Sequence, residues 1–191
     1  MEIQYLELSP ASAAAMSDAI VRVYAAAFEP PPYLRGEPEA RAFSDIFLRQ
    51  RGQAGFHCIV AREAALGTVV GFVYGFTSLP GQWWHDQVAQ HMNDVQREHW
   101  LGSAFELTEL AVAPAYQGFG IGGQLHDRVL AGRPQRTAVL STMQTETNAL
   151  ALYRKRGWQL LVSDFLFSGA VRMYAILGKE LAANSLLAVG D

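Results

Sequence analysis

The spacing of apolar residues along the chain predicts a regular alternation of strands and helices. Residues 2–8 alternate between apolar and polar positions, which indicates a first strand. Apolar residues spaced three and four apart predict a helix over residues 9–27, with Ser9 as its N-cap, and a second helix over residues 38–50. Strands are then predicted at residues 56–61 and 69–77, joined by a turn around Gly67.

The second half of the chain continues this alternation. Trp84, Val88, Met92 and Val95 fall on one helical stripe, so an extra helix is predicted over residues 82–100, between the third and fourth strands. The remaining predicted elements are a strand at 105–113, a helix at 121–131, a strand at 137–142, a helix at 147–156, and strands at 158–167 and 171–177. This order predicts an α/β (α+β) fold, a mixed sheet of about seven strands with helices on both faces.

Composition narrows the class of protein. The chain has 191 residues, of which 50% are hydrophobic and 17% are charged, so we expect one folded domain over residues 1–180. Residues 82–100 are a helical insertion in that domain, and residues 181–191 are a loosely held tail. The net charge of −3, with no basic run, disfavours a nucleic acid partner. The single cysteine, Cys58, lies among apolar residues and no apolar stretch is long enough for a membrane, so we expect no membrane partner and a cytoplasmic location.

A glycine-rich loop separates the strand at 105–113 from the helix that follows. Residues 105–123 read FELTELAVAPAYQGFGIGG, which predicts backbone N–H groups exposed at a helix N-terminus and suited to a phosphate or pyrophosphate. The glycines fit two patterns, G-x-G-x-x-G at Gly118, Gly120 and Gly123, or Q/R-x-x-G-x-G at Gln117, Gly120 and Gly122. The first pattern requires a strand that runs directly into the loop, whereas residues 113–117 intervene here. A nucleotide-binding oxidoreductase is therefore disfavoured.

The second pattern carries a resemblance to a known family. Together with L-A-V-A-P at residues 110–114 and A-L-Y-R-K-R-G-W at residues 151–158, it resembles the GNAT superfamily of acyl-CoA-dependent N-acetyltransferases. The resemblance implies a mostly antiparallel, twisted sheet and acetyl-CoA as co-substrate. It also implies that the cofactor is held by the strand end and by the loop, that is, by Leu110, Ala111, Val112, Gln117, Gly118, Phe119, Gly120, Ile121, Gly122 and Gly123.

The same resemblance implies catalytic roles. Tyr153 matches the motif tyrosine of the family, the usual general acid to the departing thiolate. Glu106 and Glu109 both lie on the central strand, on opposite faces because side chains alternate along a strand, and Glu109 is the predicted base because it lies nearer the acetyl position. Glu146 stands where many family members carry an asparagine. We assign Glu146 to the cofactor side, while Glu106 and Glu146 remain alternatives for the base.

The acceptor pocket is predicted from the aromatic residues outside the motifs. Phe28, Tyr33, Trp83 and Trp84 suit a flat, apolar or cationic amine, and the alternative is that they belong to the core. The insertion can equally form a lid or a homodimer contact.

The histidines do not suggest a metal site. His85 and His91 are six residues apart and do not share one helix face, so no metal is predicted. His126 is expected on the surface of its helix.

These observations together predict an N-acetyltransferase that moves an acetyl group from acetyl-CoA directly to a primary amine of a small molecule, peptide or protein. The acceptor itself is not identified. An alternative from another class is a non-catalytic module that binds or senses acyl-CoA. The presence of Tyr153 and Glu109 favours the enzyme.

Overall fold

A computed structural model of the chain describes residues 1–181. The elements, in chain order, are β1 (Ile3–Leu8), α1 (Pro10–Ala15), α2 (Ser17–Phe28), α3 (Glu37–Gln50), β2 (His57–Glu63), β3 (Val69–Ser78), α4 (Trp83–Ala89), α5 (Asp94–Leu101), β4 (Ala104–Val112), α6 (Ile121–Leu130), β5 (Thr137–Met143), α7 (Asn148–Lys155), β6 (Gln159–Phe165) and β7 (Tyr174–Glu180). A short 3-10 turn, Pro114–Tyr116, lies between β4 and α6.

The strands form a mostly antiparallel, seven-stranded sheet in the order β1-β2-β3-β4-β5-β7-β6. This confirms the predicted fold class. Within it the chain divides into two compact units, one formed by Met1–Thr77 with Glu106–Val129 and the other by Ser78–Phe105 with the chain from Leu130 onward. That residues 1–180 act as one domain stays a prediction, and nearly all of the predicted tail lies outside the described residues.

In the first unit, helices α2 and α3 bury an aromatic cluster against the sheet. The rings of Tyr24 and Phe43 stack with their centroids 3.9 Å apart, and Phe43 lies 5.7 Å from Phe72 on β3. Phe47 packs edge-on against Tyr74. Phe43 and Phe47 are four residues apart on α3, and Phe72 and Tyr74 are two apart on β3, so each element presents one apolar face to the other.

Helix α6 approaches β3 and β4 where the chain has a glycine. A Cβ at Gly71 would lie 3.1 Å from Leu125 on α6 and 3.2 Å from the carbonyl oxygen of Ala111 on β4. The β2–β3 register also shifts by one residue opposite Gly71. Both the close approach and the bulge suggested by a glycine within a strand are therefore present.

In the second unit, helices α4 and α5 pack onto β5, β6 and β7. The core includes Trp84 and Val88 from α4, Val139 from β5, Phe165 from β6 and Ile176 from β7. Strands β5 and β7 pair antiparallel over their whole length.

The single helix predicted over residues 82–100 is two helices. The break follows Ala89, and Asn93 starts α5 with a capping box in which Asn93 and Gln96 exchange side-chain-to-backbone hydrogen bonds. This local pairing competes with continued helix. The predicted stripe holds for Met92, which is buried, but not for Val95, which is 79% exposed.

Other boundaries differ by a few residues. The first predicted helix begins at the Ser9 N-cap as expected but is interrupted at Met16, where the backbone leaves helical geometry between α1 and α2. The last strand begins at Tyr174 rather than at residue 171. The prediction that His126 lies on the surface was wrong, because its side chain is 2% exposed.

Candidate functional site

The glycine loop leaves β4 through the turn Pro114–Tyr116 and ends at the first residue of α6. Gly118 and Gly120 have φ values of +81° and +79°, which only glycine adopts without strain. A Cβ at either position would meet no atom within 4 Å, so backbone conformation rather than lack of space requires glycine.

Two side chains fasten this loop to the sheet. The Tyr116 hydroxyl donates to the Glu63 carboxylate over 2.5 Å. The Gln117 side-chain amide, predicted as a donor to a bound anion, donates to the Val112 carbonyl oxygen over 2.9 Å. The Gln117 amide has a second hydrogen that this bond does not use. Its donation to a bound anion stays a prediction.

The loop and the first turn of α6 present backbone donors. Within residues 1–181, no carbonyl or side chain of the protein accepts a hydrogen bond from the N–H groups of residues 118–123. The first N–H that returns to the backbone is that of Gln124, which donates to Gly120. A run of unused N–H groups at a helix N-terminus can bind the oxygens of a diphosphate.

Two carboxylates on β4 lie in the interior of the first unit. Burial raises the pKa of Glu109 to about 7, and the nearby Arg35 guanidinium partly opposes this rise. Burial also raises the pKa of Glu106 to about 8, with a hydrogen bond from Thr108 acting against it. Glu109 retains partial solvent access, whereas Glu106 is 3% exposed and its Oε2 has no hydrogen-bond partner among the described residues. A half-protonated carboxylate near neutral pH is suited to exchange a proton with an amine.

A tyrosine and an arginine accompany Glu109. The Arg35 guanidinium donates to the Tyr24 hydroxyl and lies 4.8 Å from the Phe28 ring centroid. Tyr33 meets Phe28 edge-on at 4.7 Å. Burial is the main cause that raises the pKa of Tyr24 to about 12, and the Glu109 carboxylate is the second. The Tyr24 hydroxyl therefore stays protonated. We call Tyr24, Phe28, Tyr33, Arg35 and Glu109 the Arg35 cluster.

A second tyrosine on β3 is affected by both carboxylates. The Tyr74 hydroxyl donates to the Gln50 side chain over 2.7 Å. Burial raises the pKa of Tyr74 well above its ordinary value, and Glu109 and then Glu106 add to the rise. The Tyr74 hydroxyl therefore lies in the field of two of the three predicted candidates for the base.

Phe28, Tyr33 and Glu109 were predicted as site residues from the sequence, and contacts through Tyr24 and Arg35 link them in the structure. Their predicted roles stay predictions. Neither Tyr24 nor Arg35 was predicted, because Tyr24 has the spacing of an ordinary apolar helix residue and Arg35 follows a run of prolines with no motif around it.

The second unit contains the predicted acid. Tyr153 lies near the end of α7, is 6% exposed, and its ring meets that of Trp158 edge-on at 5.6 Å. Its carbonyl oxygen accepts from the N–H groups of Arg156 and Trp158, which fixes the turn after α7. The backbone at this tyrosine is therefore firmly positioned.

The other predicted residues in this unit have local partners. Glu146 forms a two-pronged ion pair with Arg154, with both oxygens within 3.0 Å of Nη1 and both side chains exposed. Trp84 is buried and donates from Nε1 to Ser141 over 3.2 Å. Trp83 is 59% exposed and stacks on Phe167. The predicted cofactor role of Glu146 and the predicted substrate roles of both tryptophans stay predictions.

The described residues contain neither a metal-binding cluster nor a membrane-spanning helix. Between residues 1 and 181, no three His, Cys, Asp or Glu side chains come together as a metal site. No helix in the same range combines the length and apolar character needed to cross a bilayer.

The chain is similar in sequence to known acetyltransferases. A protein-family model described as an acetyltransferase (GNAT) domain matches residues 54–160. A GCN5-like protein acetyltransferase from Mycobacterium tuberculosis, Rv2170, is 37% identical over 132 residues, and the match spans 63% of this chain and 63% of that relative.

Solved structures with the same fold are more distant in sequence. A GNAT-family protein from Desulfovibrio desulfuricans superimposes with a TM-score of 0.67 at 16% identity, over 95% of this chain and 100% of the other. The PaiA N-acetyltransferase from Thermoplasma acidophilum, solved with coenzyme A, has a TM-score of 0.60 at 13% identity, over 94% and 99% of the two chains.

Proposed function

This chain belongs to the GNAT family of acetyltransferases, and from that premise we propose that it transfers an acetyl group from acetyl-CoA directly to a primary amine. The observation that carries the proposal is the run of unused N–H groups at residues 118–123, which is suited to the CoA diphosphate. The Thermoplasma relative of the same fold, which is named an N-acetyltransferase and was solved with CoA, supports nitrogen as the acceptor atom.

The bound acetyl-CoA is held by backbone and loop together in this proposal. Residues 117–123 bind the diphosphate, and the backbone of Leu110, Ala111 and Val112 bonds the pantetheine arm. A backbone N–H near Val112 polarises the thioester carbonyl, which stabilises the oxygen as it gains negative charge.

Glu109 is the proposed base. The acceptor ammonium gives one proton to the Glu109 carboxylate, directly or through water, and the lone pair of the resulting neutral amine then forms the bond to the carbonyl carbon. The nitrogen loses its second proton to solvent as the amide forms. A pKa of about 7 leaves about half of the Glu109 carboxyl groups ionised at neutral pH, so the group can take up and release a proton in each turnover. The Arg35 guanidinium opposes the rise in the pKa of Glu109 that burial causes.

Tyr153 is the proposed acid. The carbon–sulfur bond breaks as the amide forms, and the Tyr153 hydroxyl donates its proton to the leaving thiolate. A phenol of pKa about 10 and a thiol of pKa about 8.5 are close enough for this transfer. The tyrosyl anion regains a proton from solvent.

The acceptor class follows from two observations. The aromatic rings and the carboxylate of the Arg35 cluster suit an amine that arrives as a cation on an apolar stem. The Mycobacterium relative is named a protein acetyltransferase, which supports a lysine side chain of a protein alongside a small alkylamine.

Release of free thiol from acetyl-CoA tests the function. The purified chain is screened against a small-amine library and against lysine-containing peptides, with Tyr153→Phe as the matched variant. We expect thiol release with at least one acceptor and a loss of turnover in Tyr153→Phe while CoA binding is retained. CoA binding without turnover on any acceptor would favour the non-catalytic acyl-CoA module, and no thermal shift with CoA would reject both functions.

A further inference from the structure

The glycine loop presents one large apolar side chain to solvent. Phe119 is 68% exposed and lies between the two glycines of positive φ, Gly118 and Gly120. A phenyl ring left in water forfeits the burial that usually stabilises an aromatic residue. Its exposure leaves an aromatic face open on the same loop that carries the unused N–H groups.

Hydrogen bonds hold the loop on either side of Phe119. Before it, Tyr116 is bonded to Glu63 and Gln117 to the Val112 carbonyl. After it, the Gln124 N–H donates to Gly120 and closes the first turn of α6. The ring is thus carried by the same short segment that presents the unused N–H groups, within one or two residues of them.

The segment around Phe119 carries no lysine or arginine that could attract a phosphate. No lysine or arginine occurs in residues 107–127, which contain two acidic residues, Glu109 and Asp127. The first cation after the loop is Arg128, whose guanidinium lies 4.5 Å from the Tyr5 ring centroid. A nucleotide tail at this loop is therefore held by neutral backbone donors and by whatever apolar contact the loop offers.

We propose that Phe119 is the platform on which the adenine of CoA stacks, and that it makes this enzyme prefer CoA thioesters over pantetheine thioesters that lack the nucleotide. The inference rests on the proposed function, because it needs the diphosphate at residues 118–123. The ring then covers a base that is joined to that diphosphate through one ribose. Stacking on an aromatic side chain is tolerant of orientation and requires no cation.

Binding measurements with a full and a truncated ligand test this assignment. Wild type, Phe119→Ala, Phe119→Tyr and the control Leu66→Ala, which removes an apolar side chain of equal exposure (69%) from the β2–β3 turn, are titrated with CoA and with 4′-phosphopantetheine. We expect Phe119→Ala to weaken CoA binding about five- to twentyfold, within the range that base stacking contributes. Phosphopantetheine binding stays unchanged, and Phe119→Tyr and Leu66→Ala keep wild-type affinity for CoA.

A spectroscopic readout separates stacking from a change in loop shape. Adenine H2 and H8 resonances of CoA are expected to move upfield on wild type and Phe119→Tyr, and not on Phe119→Ala. Equal loss of affinity for both ligands, or unchanged CoA affinity in Phe119→Ala, would overturn the proposal. So would a change in oligomeric state in Phe119→Ala with CoA affinity intact, since the ring would then cover a second copy. Absence of CoA binding to the wild type would instead reject the proposed function itself.

Discussion

Replacing Glu106 with glutamine tests how much the burial of an ionisable carboxyl group on β4 lowers the stability of the fold. Glu106 is 3% exposed and its Oε2 has no partner among the described residues. Burial raises its pKa from 4.5 to about 8. Glutamine has nearly the same shape and stays neutral at every pH in the experiment.

The sign follows from the two proton affinities. Below pH 4.5 both the folded and the unfolded chain keep the proton, so no stability is lost. Between pH 4.5 and about 8 the unfolded chain releases the proton while the folded chain retains it, and the free energy of unfolding falls as pH rises. Above about pH 8 the full cost is present. At about 1.4 kcal/mol per pH unit, this cost is about 5 kcal/mol.

Urea denaturation followed by tryptophan fluorescence measures the effect. Glu106→Gln is compared with wild type from pH 5 to pH 9, and its stability advantage is expected to widen by about 4 kcal/mol over this range. Glu146→Gln is the control, because Glu146 is exposed in its ion pair with Arg154 and such a pair contributes less than about 1 kcal/mol. A gap between wild type and Glu106→Gln that is constant with pH would refute the argument, since it would mean that Glu106 titrates alike in both states.

Three further predictions address activity, the loop and the insertion. The acidic limb of the kcat/KM profile is expected to have its midpoint near pH 7, with kcat/KM at pH 6 about tenfold below its plateau. Glu109→Gln is expected to abolish that limb and to lower the plateau. If the pH–rate profile of the variant kept the same limb, Glu109 would not be the base. Gly120→Ala is expected to weaken CoA about five- to thirtyfold by calorimetry, because alanine at φ +79° costs about 1–2 kcal/mol. Unaltered affinity in Gly120→Ala would place the diphosphate elsewhere. Asn93→Ala is expected to lower the free energy of unfolding by about 1 kcal/mol, because the bond to the Gln96 N–H that starts α5 is lost, and an equally stable variant would contradict that role for the cap.

Local signals were enough to predict the order of the elements. Helix α3 and the strands β2 and β3 lie within one or two residues of their predicted positions, because their apolar spacing is dictated by the period of each element. The glycine loop was predicted for a similar reason, since its conformation depends on residues adjacent in the chain. The break between α4 and α5 was missed although Asn93 and Gln96 are visible in the sequence, because the hydrophobic stripe was given more weight than the capping box.

Properties that depend on distant residues came only from the tertiary structure. Neighbouring residues in the chain were enough to predict the strands, most of the helices and the glycine loop, because these depend on contacts within a few positions. The association of Tyr24 and Arg35 with Glu109, the burial of His126, and the burial of Glu106 with no partner for its Oε2 among residues 1–181 arise only when distant parts of the chain meet. A pKa depends on the dielectric and the charges around a group in space, and those neighbours are far away along the chain.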